Sequence, residues 1–406
     1  MHRKSILFVM NTMGRAGAER ALIELLRILN PEQYKVYLYV LIPRGELFSE
    51  VPEYVKILNR RTDSRSVLSA GGKFFVGVRL AQATVRKGSL KKALVRMRGR
   101  RNTGDRTKDA QQTEKIMRRM LADGSCALPG KFDLAVAYLE GPATWYVAEK
   151  VKAQRKAAFL HTDVVHAGYS RELDGGCYEV CDRIFAVSSD VRKSFLKIYP
   201  EYTGKTKLFF NIINREHIRE RALEPGGFTD TYDGIRLLTV GRLYFMKGFD
   251  IAVKAADILV KRGCRFRWYI LGEGEEKKKL QRQIREAGLG AVVYLLGAME
   301  NPYPYFSQTD IYVCASRFEG KSIVIEEAQA LGKPVVATAC TGIEEQIDSG
   351  TDGLVVGMEP ESLADGIEKL INDKGLRNKY GQAAYERKSA YQNGLDEFLN
   401  LLGERA

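Results

Sequence analysis

Short apolar runs recur along this chain, and most are followed by a turn and then by a stretch with helical periodicity. The alternation is most regular in the second half. There, 235–240, 266–271, 292–296, 310–314, 335–338 and 353–356 read as strands, with helices at 249–261, 322–331, 360–371 and 376–390. The first half repeats the theme with strands at 5–10, 34–42, 54–58, 132–138, 156–160 and 183–187. A helix at 18–29 puts Leu22, Leu25, Leu26 and Leu29 on one face. Strands buried on both faces read as continuous apolar runs, and a parallel sheet needs a helical crossover between strands. A chain that does this twice is α/β, with two Rossmann-like β/α/β domains. Its 406 residues give each half enough chain for its own core.

Composition excludes several classes. No apolar run approaches the roughly 18 residues of a membrane-spanning helix. Residues 1–10 have a basic start but too short an apolar run for a signal peptide, and they read as a first strand. The six cysteines are scattered. Cys314 and Cys340 read as core positions, and Cys177 and Cys181 are spaced to share a helix face. No zinc-type spacing occurs, so reduced thiols in a cytosolic protein and no metal site are the expectation. The net charge of +14 is local: residues 60–119 hold 18 Lys or Arg against 4 Asp or Glu, and the rest of the chain is balanced. That segment is therefore the one with a charge-selected partner.

The stretch that carries the chemistry runs from Asp310 to Leu331. After the strand ending at Cys314 the chain turns through Ser316 to Gly320, and a helix starts near Ser322. Glu319 then sits at the carboxyl edge of a parallel sheet, where open α/β sheets bind ligands. Glu327 follows about two helical turns later, and amides at the helix start offer an anion site between the two carboxylates. A second loop at a strand's carboxyl edge holds Gly241-Arg242-Leu243 and Lys247-Gly248. Two cations on a flexible backbone are what a diphosphate needs where no metal serves. In the first half, Gly14 and Gly17 precede a helix without forming a dinucleotide fingerprint, and His161-Thr-Asp163 ends a strand. Asn211-Ile-Ile-Asn214 leads into the second half, and Asn301-Pro-Tyr-Pro-Tyr305 reads as a rigid aromatic loop.

Taken in order, Gly-Ala-Glu at 17–19, His161, Gly241-Arg242, Lys247-Gly248, and Glu319 to Glu327 with Gly332-Lys-Pro334 resemble the retaining glycosyltransferases of family 4. The resemblance implies the GT-B fold, two Rossmann-like domains facing across a cleft. The domains would be 1–207 on the acceptor side, with a basic helical insertion at about 60–125, and 208–385 for the nucleotide sugar. A tail at 386–406 would cross back to the first domain. It further implies transfer of a sugar from a nucleoside diphosphate, expected to be UDP, to an acceptor hydroxyl with retained configuration. Glu319 and His161 would contact the donor sugar. Arg242, Lys247 and the amides of Ser322 and Ile323 would hold the departing diphosphate. Glu327 would bind ribose, and Gly17, Gly241 and Gly248 would let the backbone approach the donor. Arg15 and Asp163 would lie on the acceptor side. Lys321 stands where the family often has an aromatic residue. No Asp-x-Asp sequence occurs, so no metal and no cofactor are expected.

Two other classes stay open at this stage. A sugar-nucleotide epimerase of the same fold would turn over donor without acceptor, and a non-catalytic nucleotide-sugar or membrane-binding protein would bind without turnover. A phosphorylase would need a pyridoxal lysine that no motif identifies. For residues 60–119 three readings compete. Basic residues interleaved with apolar ones suit an anionic membrane surface, at about 1 kcal/mol per Lys or Arg. A solvated helix pair fits as well. Nucleic acid is not expected, because aromatics for base stacking are few. A glycan or lipid-linked acceptor and a cytoplasmic, peripheral location go with the membrane reading.

Overall fold

The computed structural model describes residues 3–66, 70–85, 93, 94, 97, 106–387 and 392–403. Two compact units form, Met1–Ile212 with Ala390–Ala406, and Ile213–Ser389.

The first unit is built on a seven-stranded sheet, β1 (Lys4–Met10), β2 (Tyr34–Val40), β3 (Lys56–Ile57), β4 (Phe132–Ala137), β5 (Ala153–Leu160), β6 (Arg183–Ala186) and β7 (Thr206–Leu208). Their spatial order is β3-β2-β1-β4-β5-β6-β7, and the recorded pairings are parallel. The second unit carries β8 (Ile235–Val240), β9 (Phe266–Leu271), β10 (Val293–Gly297), β11 (Ile311–Cys314), β12 (Val335–Thr338) and β13 (Gly353–Val356), in the order β10-β9-β8-β11-β12-β13. Strand order reverses between β1 and β4 in one sheet and between β8 and β11 in the other. Crevices at such switch points are where doubly wound sheets take ligands. This pair of parallel α/β sheets is the GT-B fold.

Local chemistry explains the element boundaries. Ser188 accepts the Val191 amide and opens the helix Ser189–Ile198, Asn214 does the same for Arg215–Ala222, and Asp373 for Lys374–Glu386. Helices Pro142–Lys150 and Pro360–Asn372 begin on proline, which has no amide to leave unpaired. In the second unit, helix Phe249–Lys261 buries Phe249, Val253, Ala256 and Leu259 against Trp268 and Ile270 of β9. The tail helix Gln392–Leu399 belongs to the first unit. Its Phe398 stacks on Phe8 at 6.2 Å and meets Phe159, Phe185 and Phe209 edge-on or tilted.

Several expectations differ from the structure. Polar residues 106–109, which carry no apolar periodicity, open the helix Arg106–Gly124. In the helix Ala70–Val85, Phe74 is 75% exposed, and Phe75 is the neighbour that turns inward, with Arg44 over its ring. The loop 301–305 closes into a short helix, Tyr303–Ser307, because Pro302 and Pro304 both tolerate its first turn. Cys177 and Cys181 lie in the irregular stretch between the helix Arg171–Asp174 and β6 rather than on a helix face. Within the basic segment, residues 89–101 fall, except for three positions, outside the described residues. Among the described residues no helix is long and apolar enough to cross a membrane.

Candidate functional site

The loops after β8 and β11 meet at the switch point of the second unit. The chain leaves β8 at Gly241, passes Arg242, makes one 3₁₀ turn at Phe245–Lys247, and enters the next helix through Gly248. Gly248 has φ 63°, and a Cβ there would lie 1.9 Å from the Ala315 carbonyl oxygen. Only glycine allows the two loops to touch. Contact brings Lys247 Nζ to 2.6 Å from Glu319 Oε1, which also accepts the Ser316 hydroxyl at 2.7 Å. Burial works against the Lys247 charge, but the Glu319 carboxylate outweighs it and raises the lysine above its ordinary value. Arg242 lies exposed in the same loop.

The loop after β9 supports this arrangement. Gly241 donates its amide to the Leu271 carbonyl, and Leu243 to Glu273, both at 3.0 Å. A Cβ on Gly272 would lie 1.8 Å from the Gly241 oxygen.

The helix Ile323–Ala330 starts at Ser322. The Ser322 amide, expected to face a phosphate, donates instead to Gln346 Oε1 at 2.7 Å, and Gln346 Nε2 returns a bond to the Ser322 carbonyl at 2.8 Å. Ile323 is then the first helical residue behind this paired amide. The adjacent glutamates separate: Glu327 is buried and accepts the Tyr303 hydroxyl at 3.0 Å, whereas Glu326 pairs with Lys321 at 2.9 Å.

In the first unit, His161 follows β5. Its imidazole packs 5.1 Å from the Tyr138 ring, and its Nε2 is enclosed without a partner. Burial drives its pKa down to about 3, against a hydrogen bond to the Tyr138 backbone. The ring is therefore neutral, and with its other nitrogen on that backbone, Nε2 offers a lone pair. The His161 amide and the Thr162 hydroxyl both donate to the buried Glu140, at 2.9 and 2.6 Å. Asp163 accepts from Ser194, from the amides of Val165 and His166, and pairs with His166 Nδ1 at 3.0 Å. Those partners hold the turn after His161. Gly17 is the first residue of the helix Gly17–Ile28, and Arg15 lies half-buried in the turn before it. The tight approach falls on Gly45, φ 142°, whose Cβ would meet the Met13 carbonyl carbon at 2.0 Å.

Residues 231–387, almost the whole second unit, match the family model "Glycosyl transferases group 1". The second unit is a group 1 glycosyltransferase domain. All of Arg242, Lys247, Glu319 and Glu327 lie inside it. The chain is 32% identical over 231 residues to a Campylobacter jejuni N-acetylgalactosamine-N,N'-diacetylbacillosaminyl-diphospho-undecaprenol 4-alpha-N-acetylgalactosaminyltransferase, covering 56% of this chain and 61% of that one. It is 26% identical over 226 residues to the poly(glycerol-phosphate) alpha-glucosyltransferase of Bacillus subtilis, covering 55% of this chain and 32% of that one. The chain thus matches less than two thirds of the length of these relatives. Among solved structures, Anabaena HepE in complex with UDP and glucose shares the fold at a TM-score of 0.67 and 17% identity, covering 98% of this chain and all, 100%, of that one.

Around the group 1 domain's expected residues stand contacts that motif reading did not foresee. Ser316 and Gln346 bond to Glu319 and Ser322, Tyr303 to Glu327, and Arg317 to Asp250. Most of these pairs are separated by 24 to 67 residues, so no local pattern announces them. Ser316 alone was within reach, three residues before Glu319 in the same turn.

Proposed function

We propose that this protein transfers a sugar from a nucleoside diphosphate sugar, with UDP the favoured carrier, to a hydroxyl of a glycan or lipid-linked acceptor, retaining the anomeric configuration. The observation that carries this reading is the 2.6 Å pair of Lys247 and Glu319 at the switch point of a group 1 glycosyltransferase domain. In the reaction the bond from the anomeric carbon to the β-phosphate oxygen breaks, and a bond from the acceptor oxygen forms. The acceptor proton passes to the departing phosphate, which leaves from the face the acceptor enters. Lys247 and the exposed Arg242 offset the charge growing on the diphosphate, with no metal required. Fixed charges aimed at a developing anion are commonly the largest catalytic contribution. Glu319 contacts the sugar, Glu327 the ribose, and the neutral Nε2 of His161 accepts from a sugar hydroxyl. Support for UDP and for a lipid or polymer acceptor comes from the compounds named for HepE and the two transferases above.

The test is thermal stability against UDP, GDP, ADP and their sugars in EDTA. A ligand at 100 times its dissociation constant adds about 2.7 kcal/mol. One diphosphate should stabilise the wild type and stabilise Lys247→Ala far less. Stabilisation that requires a divalent cation, or that survives Lys247→Ala unchanged, rejects this site.

The acceptor reading extends to the membrane. Phe74 and Met117 are exposed, at 75% and 46%, on helices of the strongly basic segment 60–119. A cationic surface with apolar side chains binds anionic lipid. Sedimentation with phosphatidylglycerol vesicles should carry the protein down at low salt and release it at high salt. No binding at low salt refutes the peripheral location.

A further inference from the structure

One side chain, Arg317, joins the loop after β11 to the loop after β8. Its guanidinium makes a two-pronged pair with Asp250, at 2.7 Å to each carboxylate oxygen. Nη1 also donates to the Phe245 carbonyl at 2.9 Å, and the guanidinium lies 4.2 Å over the Phe245 ring. The Arg317 backbone amide donates to the Met246 carbonyl at 2.8 Å. These contacts bracket Lys247: Phe245 and Met246 immediately precede it, and Asp250 follows in the first turn of the next helix. Arg317 itself is two residues before Glu319. A planar guanidinium matched to a carboxylate fixes orientation as well as distance, which a lysine cannot do. The Lys247 side chain, by contrast, is a flexible stem whose ammonium pairs with Glu319.

We propose that Arg317 and Asp250 are positioning residues for the diphosphate site, holding the turn 245–248 so that the Lys247 ammonium is already aimed when donor arrives. The role rests on the reading above that Lys247 meets the diphosphate. It adds that the aim of Lys247 is set by two other side chains that clamp its loop. Pre-orienting a charged group in this way reduces what must be ordered on binding.

The experiment is a calorimetric double-mutant cycle with UDP, GDP and ADP and the corresponding monophosphates as probes. Arg317→Ala should weaken the selected diphosphate by about tenfold, while the monophosphate, which lacks the outer phosphate, changes little. Arg317→Lys keeps the charge but not the fork and should recover only part of the loss. With Lys247→Ala already present, Arg317→Ala should have no further effect. Equal losses with and without Lys247, or equal losses for diphosphate and monophosphate, would mean general damage and overturn the positioning role. So would an Arg317→Ala variant that binds as the wild type does. Should Arg317→Ala fail to fold, Arg317→Lys and Asp250→Asn complete the same cycle. A wild type that none of the diphosphates binds overturns the donor-site reading and this role together, whereas a binding wild type with an additive cycle overturns this role alone.

Discussion

Lys247 Nζ stands 2.6 Å from Glu319 Oε1, across 72 residues of sequence, and Glu319 is only 8% exposed. The lysine is raised above its ordinary 10.5 because the carboxylate outweighs desolvation. A group whose folded pKa is raised contributes stability that is fully present below the unfolded value and lost as pH rises through the folded one. Lys247→Ala should therefore lower stability by about 1–3 kcal/mol at pH 7, since it leaves a nearly buried carboxylate with the Ser316 hydroxyl alone as its described partner. The deficit relative to wild type should shrink only above roughly pH 10.5. Urea unfolding at pH 7, 9 and 11 checks both sign and window; a deficit that vanishes by pH 9 contradicts the pairing.

His161 has the opposite linkage. Burial lowers its pKa from 6.5 to about 3, so the unfolded chain binds a proton that the folded chain refuses. Wild type should lose stability relative to His161→Gln as pH falls below 6.5, by up to about 2 kcal/mol at pH 5. Above pH 7 the ring contributes no pH dependence. Parallel stability curves for the two proteins between pH 7.5 and 5 would show that the ring is not enclosed.

Two glycines in one loop should behave differently. Gly248→Ala forces a side chain into the left-handed region and against the Ala315 carbonyl, and should destabilise by more than about 2 kcal/mol with loss of diphosphate binding. At Gly241 a Cβ meets nothing nearer than Phe249 at 3.7 Å, so Gly241→Ala should change stability by less than about 1 kcal/mol. Thermal melts of the two variants, with and without UDP, decide the matter. Equal damage at both positions would refute the loop contact.

Gln346 is 2% exposed and bonds both to the amide and to the carbonyl of Ser322, while its own carbonyl accepts from Gln329 Nε2 at 2.7 Å. Gln346→Leu should cost about 1–3 kcal/mol, because a buried amide and carbonyl lose their partner together. Donor turnover should fall as well, since Ser322 opens the helix that carries Glu327. A variant as stable as wild type in urea would show that water replaces the side chain.

By itself the amino-acid sequence determined the class and most of the elements. Strands at 235–240, 266–271, 335–338 and 353–356 and the helix 249–261 lie where apolar run and periodicity put them, because those signals depend only on neighbouring residues. The same local reading placed Glu319, Lys247 and Arg242 at sheet edges, since a loop after a parallel strand has only one edge to occupy. Tertiary structure decided what periodicity cannot reach. It turned Phe75 inward and Phe74 out, and it made a helix of 106–109, where polar residues gave no periodic signal. It also gave the Ser322 amide to Gln346 and separated Glu326 from Glu327 through Lys321 and Tyr303. These outcomes depend on which distant side chain fills the space beside a group. That is settled when β8 and β11 come together as neighbours, with the two loops in contact through Gly248 and Ala315.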